Sequence, residues 1–336
     1  MRRLAPVFVL FSLSPFVAEF LLGDFPLTYL PLLFVLAPMY GGGAVLIREL
    51  TRRAGRGWPT IIVLALAFGL LEEALVTESL FNPGYAGAHL LDRGFVPSLG
   101  IAIPWTLFVL TLHTVWSIST PVSLVEGALP QRRTTPWLHA PGLIVVCLVF
   151  VAGVFAITAG SYQMGDHFAA PWPRLAVSAA LVVVLILVAF RLPKPAPADD
   201  PRPAPSPWWV FALGLAGGAV FMLGFRSSLL WLGVFLLPAA FVVVAVLAWR
   251  WSRRTAWGEP HRFALTAAAV LTYTWHSFGQ GPVSGGGNVV LVQGSHVVFA
   301  LVALAILAWR FRRLGRPAPD SPAPQDHQRP PRAAWR

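Results

Sequence analysis

Charge is what this sequence has least of. Only 12% of its 336 residues are Asp, Glu, Lys or Arg, roughly half the share usual in soluble domains. Set beside 56% hydrophobic residues, that deficit excludes an ordinary water-soluble globule. Cysteine is nearly absent as well. Cys147 stands alone, which excludes an internal disulfide. Lysine occurs once, as Lys194, against 24 arginines. With so much Ala, Pro and Gly, this reads as the coding bias of a GC-rich bacterium.

What the chain does have is a series of long apolar stretches. About 20 apolar residues suffice to cross a bilayer as a helix. Ten such spans are predicted, at 5–22, 27–47, 59–80, 101–128, 138–160, 173–191, 208–225, 228–249, 262–280 and 289–309. The expected fold class is therefore all-α, a polytopic membrane helix bundle of about ten transmembrane helices. Eight helices with re-entrant segments is the other count the pattern allows. A single transmembrane domain would cover 1–313, broken by a Pro-rich cytoplasmic linker at 192–207 that reads as extended and mobile. The polar, Pro-rich tail 314–336 reads as disordered. Met1-Arg2-Arg3 followed by an apolar run resembles a signal peptide. It lacks a small-x-small cleavage site, and Glu19 interrupts its end, so it reads as an uncleaved first helix.

The basic residues sort by side. With the N-terminus in the cytoplasm, 22 of them fall on inner segments and only Arg93, Arg174 and Arg226 on outer ones. That is the positive-inside pattern. It predicts both termini in the cytoplasm of a multi-pass protein of the bacterial plasma (inner) membrane. The net charge of +11 is then topological. Its partner is the lipid bilayer rather than nucleic acid.

The rare polar residues inside the spans carry the functional signal. The third span holds Glu72 and Glu73, with Glu78 near its end. A carboxylate deep in a membrane costs at least ~2.5 kcal/mol, so a helix needed only for spanning would not keep them. At 100° per residue, Glu72, Glu73, Thr77 and Ser79 share an arc of about 160°. In the fourth span, Thr106, His113, Ser117 and Thr120 share about 60°. In the ninth, Thr272, His276 and Gln280 recur every four residues, flanked by Tyr273 and Ser277. Gln293 and His296 follow in the tenth. Glu19 reads equally well as an interfacial carboxylate at a helix end. Glu126 reads as a partner of Arg132 or Arg133. Gly41-Gly42-Gly43 and the pair Gly214 and Gly218 read as close helix contacts. The outer loop from Phe81 to Gly100 has the composition of a segment lying in the interface, in the manner of a lid. The segment Gly281–Asn288 reads as flexible.

Two adjacent carboxylates in low dielectric cannot easily both ionise, so the pair can share a proton near neutral pH. A carboxylate beside a carboxylic acid or an imidazole is an arrangement for activating water. A second imidazole with an amide, His276 and Gln280, suits an oxyanion. In order along the chain, this set resembles the CPBP family of CAAX-processing and bacteriocin-processing intramembrane proteases. Members of that family carry Glu-Glu-xxx-Arg, Phe-xxx-His and His-xxx-Asn on successive core helices. Glu72 and Glu73 stand at the acids of the first motif, His113 at the histidine of the second, and His276 at that of the third, with Gln280 at the amide. Thr77 stands where the family has Arg. Val109 stands where it has Phe, with Phe108 one place early.

The resemblance implies a metal-independent hydrolase with Glu72, Glu73, His113, His276 and Gln280 as catalytic residues. Glu78, Thr77, Ser117 and Thr272 would line the substrate, a membrane-embedded or exported peptide, and no cofactor or metal is implied. Three other readings stand beside it. Buried Glu and His also serve proton-coupled small-molecule transport, for which ten helices would form two inverted repeats of five. His113, His276 and His296 with Glu72 or Glu73 are zinc-ligand types, at no recognised spacing. The stripes also fit interhelical hydrogen bonding in a structural, non-catalytic membrane protein.

Overall fold

In lipid the backbone must satisfy its own N–H and C=O groups, and a helix does this within one segment. The computed structural model, which describes residues 4–165, 167–227, 229–283 and 288–314, is accordingly helical almost throughout. The tail expected to be disordered lies outside the described residues except for Leu314, as do residues 284–287 of the segment expected to be flexible. Ten helices follow one another among the described residues. They are α1 (Ala5–Phe20), α2 (Leu27–Arg53), α3 (Trp58–Val76), α4 (Ile103–Ala128) and α5 (Ala140–Met164). Then come α6 (Trp172–Arg191), α7 (Pro207–Arg226), α8 (Leu230–Ser252), α9 (Glu259–Ser277) and α10 (Val289–Phe311). Eight of these are long and apolar enough to cross a membrane. The exceptions are α1, which is shorter, and α9, which is more polar.

The bundle is layered around α4, the most buried of the eight long spans. It lies against α1, α2, α3, α8 and α9. Around this centre, α5 lies on α2, α6 on α3 and α7 on α9. The outer layer is apolar on its free face. Ile144, Leu148, Phe155 and Leu187 are all exposed, as is Cys147. Lipid would cover this face. The contacts do not repeat as two inverted halves would. Helix α1 lies along α2, whereas its counterpart α6 lies on α3 rather than along α7.

Small residues set the close approaches. A methyl group at Gly41 would meet the backbone of Phe11, and one at Gly43 the ring of Phe68. Gly214 and Gly218 lie against Ala268 and Thr272 of α9. Prolines add a second device. Pro121 has no N–H to offer the carbonyl four residues earlier. That carbonyl, on Ser117, takes the hydroxyl of Ser14 from α1 at 2.6 Å instead.

The basic end of the bundle is tied by a buried ionic lattice. Glu126 of α4 pairs with Arg48 at 3.0 Å and Arg52 at 2.6 Å, and not with Arg132 or Arg133. Arg48 also donates to Glu49 and to the carbonyls of Arg132 and Arg133, and its guanidinium lies 3.6 Å over the Trp137 ring. Glu49 accepts from the backbone N–H groups of Trp137 and Leu138. One turn of α2 thereby fixes α4 and the connection to α5. Arg133 reaches Glu259 of α9, which also binds Arg310 of α10.

The linker 192–207 is extended, as proline dictates, but it is also held. Its strand β1 (Asp200–Pro203) runs parallel to β2 (Arg254–Thr255). Asp199 pairs with Arg253, and Asp200 with Arg202 and Arg254. The outer loop carries a small antiparallel pair, β3 (Phe95–Val96) with β4 (Ile101–Ala102).

Two outcomes follow. Glu126→Gln leaves two buried guanidinium groups short of their shared carboxylate and lowers stability by about 3–5 kcal/mol, read as loss of thermal stability in detergent. An unchanged melting profile would mean that the lattice carries no load. The second concerns the linker. Hydrogen bonds from Arg202 hold the Asp200 carboxyl well below its ordinary 3.8, and those from Arg253 hold Asp199 low. A depressed value means that the pairing is complete above the ordinary carboxylate range and is lost only as pH falls through the depressed value. A spin label at Ala198 therefore stays restrained through the ordinary carboxylate range, about pH 4, and gains mobility only well below it. With Asp199→Asn and Asp200→Asn together it is mobile at neutral pH.

Candidate functional site

Three of the helices that meet at the centre leave the α-helical repeat where they meet. The last turn of α1 (Phe16–Phe20), the last turn of α3 (Glu72–Val76) and the middle of α4 (His113–Ser119) are π-helical. Such turns are rare and concentrate at functional sites. These three contain Glu19, the Glu72-Glu73 pair, and His113 with Ser117.

The imidazole of His113 stands between the two carboxylates of α3. Its Nε2 is 2.7 Å from Glu73 Oε1, and its Nδ1 is 3.2 Å from Glu72 Oε2 and 3.1 Å from Ser117 Oγ. All three residues are buried, with 2% to 6% of their surface exposed. Glu73 is held at its other oxygen by the hydroxyls of Ser79 and, at 3.4 Å, Thr77. Trp105 Nε1 donates to Ser79 Oγ at 3.2 Å. The start of the outer loop thus folds over the site from the end of α3, and Leu80, Phe81 and Leu91 are buried beneath the rest of it.

Glu72 is held by Tyr40 of α2. The Tyr40 hydroxyl contacts Glu72 Oε1 and, at 2.5 Å, Glu19 Oε1 of α1. A hydroxyl has one proton to give. Two carboxylate oxygens at hydrogen-bond distance from one phenol oxygen therefore need a second proton, carried by one of the carboxyls. A continuous chain runs Glu19, Tyr40, Glu72, His113, Glu73, Ser79. No Lys or Arg among the described residues forms an ion pair with any of its acids. Glu72 Oε2 is buried without a hydrogen-bond partner.

Gly69 makes the arrangement possible. A methyl group there would lie 2.9 Å from His113 Cβ, so only glycine lets α4 come this close to α3.

The structure brings together Glu72, Glu73, His113, Thr77, Ser79 and Ser117, with Glu19 joined through Tyr40. The other catalytic and substrate-lining candidates sit elsewhere. No hydrogen bond or ion pair among the described residues joins His276 to Glu72, Glu73 or His113, and its buried Nδ1 has no partner. Gln280 lies beyond the end of α9, where it donates to Asp24 at 3.1 Å and meets Arg226. Thr272 bonds its own helix at the Ala268 carbonyl, 2.8 Å away, and packs on Gly218. Glu78 accepts from the backbone N–H of Ala170 at 2.6 Å, which ties the loop to the start of α6. Tyr40 and Asp24 belong to no polar stripe or motif in the sequence, and Glu19 reads there in two ways. The signal for Tyr40 was available, because one of only five tyrosines directly precedes the glycine run that lets α1 and α3 close on α2.

Fold and site define a polytopic membrane protein with a buried cluster of carboxylates around one imidazole. The chain belongs to an uncharacterized membrane protein family, whose model matches residues 8–318. That match is not to the CAAX-processing proteases, so the resemblance to them rests on the Glu-Glu and His residues alone. No curated protein and no solved structure matches the chain.

Gly69→Ala should push α4 from α3 and cost about 1–3 kcal/mol, measured by thermal unfolding. Gly294→Ala on α10, where a methyl group meets nothing within 4 Å, should leave stability unchanged or raise it by up to about 1 kcal/mol. Equal effects at the two positions would refute the close-approach role of Gly69.

Proposed function

We propose that this protein is an intramembrane hydrolase in which Glu72, Glu73 and His113 activate water against a membrane-embedded or exported peptide. One observation carries the reading, the imidazole held between two adjacent buried carboxylates on π-helical turns. Glu73 accepts a proton from a water whose oxygen adds to the peptide carbonyl carbon. His113, bonded to Glu73, holds that carboxylate in place and stabilises its charge. The C–N bond then breaks, and the leaving amine takes the proton back from Glu73. Ser79 and Trp105 cover the site, so a substrate enters when the loop that begins at Glu78 lifts. The bacterial inner membrane and cytoplasmic termini, argued from the arginine distribution, complete the proposal. His276 and Gln280 stay outside this mechanism unless they move toward the trio.

The chain from Glu19 through Tyr40 to Glu73 favours a second reading, proton-coupled transport. Three acids, a phenol and an imidazole in direct contact form a relay of the kind used by membrane pumps. The absence of matching inverted halves weighs against the common transporter plan.

The test is cleavage of a peptide library by the purified protein in lipid nanodiscs, with new termini read by mass spectrometry. Glu73→Gln should reduce cleavage by about 10²- to 10⁴-fold while the protein still inserts and folds. Full activity in both Glu73→Gln and Glu72→Gln would end the hydrolase reading. Proton uptake by wild-type proteoliposomes, lost in Glu73→Gln and without any cleavage, would put transport in its place.

A further inference from the structure

The charges at the site do not balance. Glu19, Glu72 and Glu73 bring three acids and His113 a single imidazole, with no Lys or Arg among the described residues paired to any of them. The double contact of Tyr40 requires one extra proton on Glu19 or Glu72. Even with His113 also protonated, one negative charge remains, in a region where buried charges are paired or coordinate metals. A divalent cation with neutral His113 brings the same set to zero.

The geometry suits such an ion. One nitrogen of His113 and one oxygen from each of Glu72 and Glu73 all lie within 4.8 Å of one another. Ligands about 2 Å from a tetrahedral zinc ion stand about 3.3 Å apart, so the trio closes on an ion by rotation of its side chains. Glu72 Oε2, buried and without a hydrogen-bond partner, is a free lone-pair donor on the inner side of the cluster. Every ligand also has an orienting partner of its own, as metal ligands do. Tyr40 donates to Glu72 Oε1, Ser79 and Thr77 to Glu73 Oε2, and Ser117 Oγ lies 3.1 Å from His113 Nδ1. Glu73 Oε1 faces Nε2 and Glu72 Oε2 faces Nδ1, so the imidazole turns to put one ring nitrogen and both oxygens on the ion. Glu19, held by Tyr40, carries the remaining proton. Three protein ligands leave a fourth position open, as catalytic zinc sites do.

We infer that Glu72, Glu73 and His113 form a binding site for a first-row divalent cation of the zinc class. The site uses neither His276 nor His296, and its orienting residues are Tyr40, Thr77, Ser79 and Ser117. A mixed nitrogen and oxygen set favours this class over magnesium or calcium, which take oxygen alone. The inference shares its residues with the hydrolase reading and deepens it, since a bound zinc would supply an acidified water there. It does not need activity to be tested.

The experiment is equilibrium dialysis of the full chain, without a polyhistidine tag, against zinc chloride in nanodiscs, with bound metal read by mass spectrometry. Wild type should hold about one zinc per chain. Glu72→Gln and Glu73→Gln, nearly isosteric changes that keep the fold, should lose it. Tyr40→Phe should weaken binding by about 10- to 100-fold, and His276→Ala should leave it unchanged. No stoichiometric zinc in wild type, or unchanged binding in both glutamine variants, overturns the inference. Protein that cleaves peptide but holds no stoichiometric zinc loses this inference alone. Protein that binds zinc and cleaves nothing loses the hydrolase reading alone.

Discussion

A buried imidazole between two carboxylates constrains everything around it. In low dielectric such a group tolerates neither a gap nor an idle lone pair. The surroundings answer each demand but one, that of Glu72 Oε2, with a specific residue. Gly69 closes the distance to α4. Ser79 and Thr77 fill one side of Glu73, and Tyr40 fills one side of Glu72. The proline at 121 frees a carbonyl that draws α1 inward through Ser14. Because α1 is drawn in, Glu19 can share the hydroxyl of Tyr40. The central helices are therefore positioned by polar contacts at one level of the bundle, while the outer helices need only apolar surface.

The two ends of the bundle solve the charge problem in opposite ways. At the basic end, Arg48, Arg52, Glu49 and Glu126 compensate one another directly, and backbone groups take up the remaining donors and acceptors. Such a lattice gives a fixed joint and no open ligand position. Around His113 no guanidinium among the described residues pairs with the acids, and compensation is left to protons or to a bound ion. The first arrangement holds the helices in place, and the second can exchange what it holds.

Much of the fold was legible because apolar length is an unambiguous signal. The ten spans and the centrality of the Glu72-Glu73 and His113 stripes follow from residues that are expensive in lipid. The partners were harder to read. A helical stripe tells which residues share a face, not which neighbour that face meets. The stripe of Thr272, His276 and Gln280 is regular, yet Thr272 turns to α7 and Gln280 lies past the last turn of α9. Ser79 shares the arc of Glu73 only on an ideal wheel. It reaches the carboxylate because the chain leaves the helix at Glu78, whose φ of +54° folds the loop back over the site. Tyr40 and Glu19 were obscured because a single polar tip on an apolar helix is usually innocuous. Only the meeting of α1, α2 and α3 gives the two a common purpose.

The π-turn in α4 separates two jobs along one helix. A π-turn holds one residue more than an α-turn, and each residue advances the helix face by about 100°. His113 stands at the start of that turn and Glu126 beyond it. The same helix can thus aim an imidazole at α3 and, further along, a carboxylate at α2, although no straight α-helix would put both in register. The extra residue acts as a phase shifter. Losing one residue between 113 and 119 would leave the imidazole where it is and swing Glu126 away from Arg48. An insertion or deletion in this short stretch therefore disturbs the Arg48–Glu126 contact without touching either residue. The length of α4 between its two charged residues is itself part of the design.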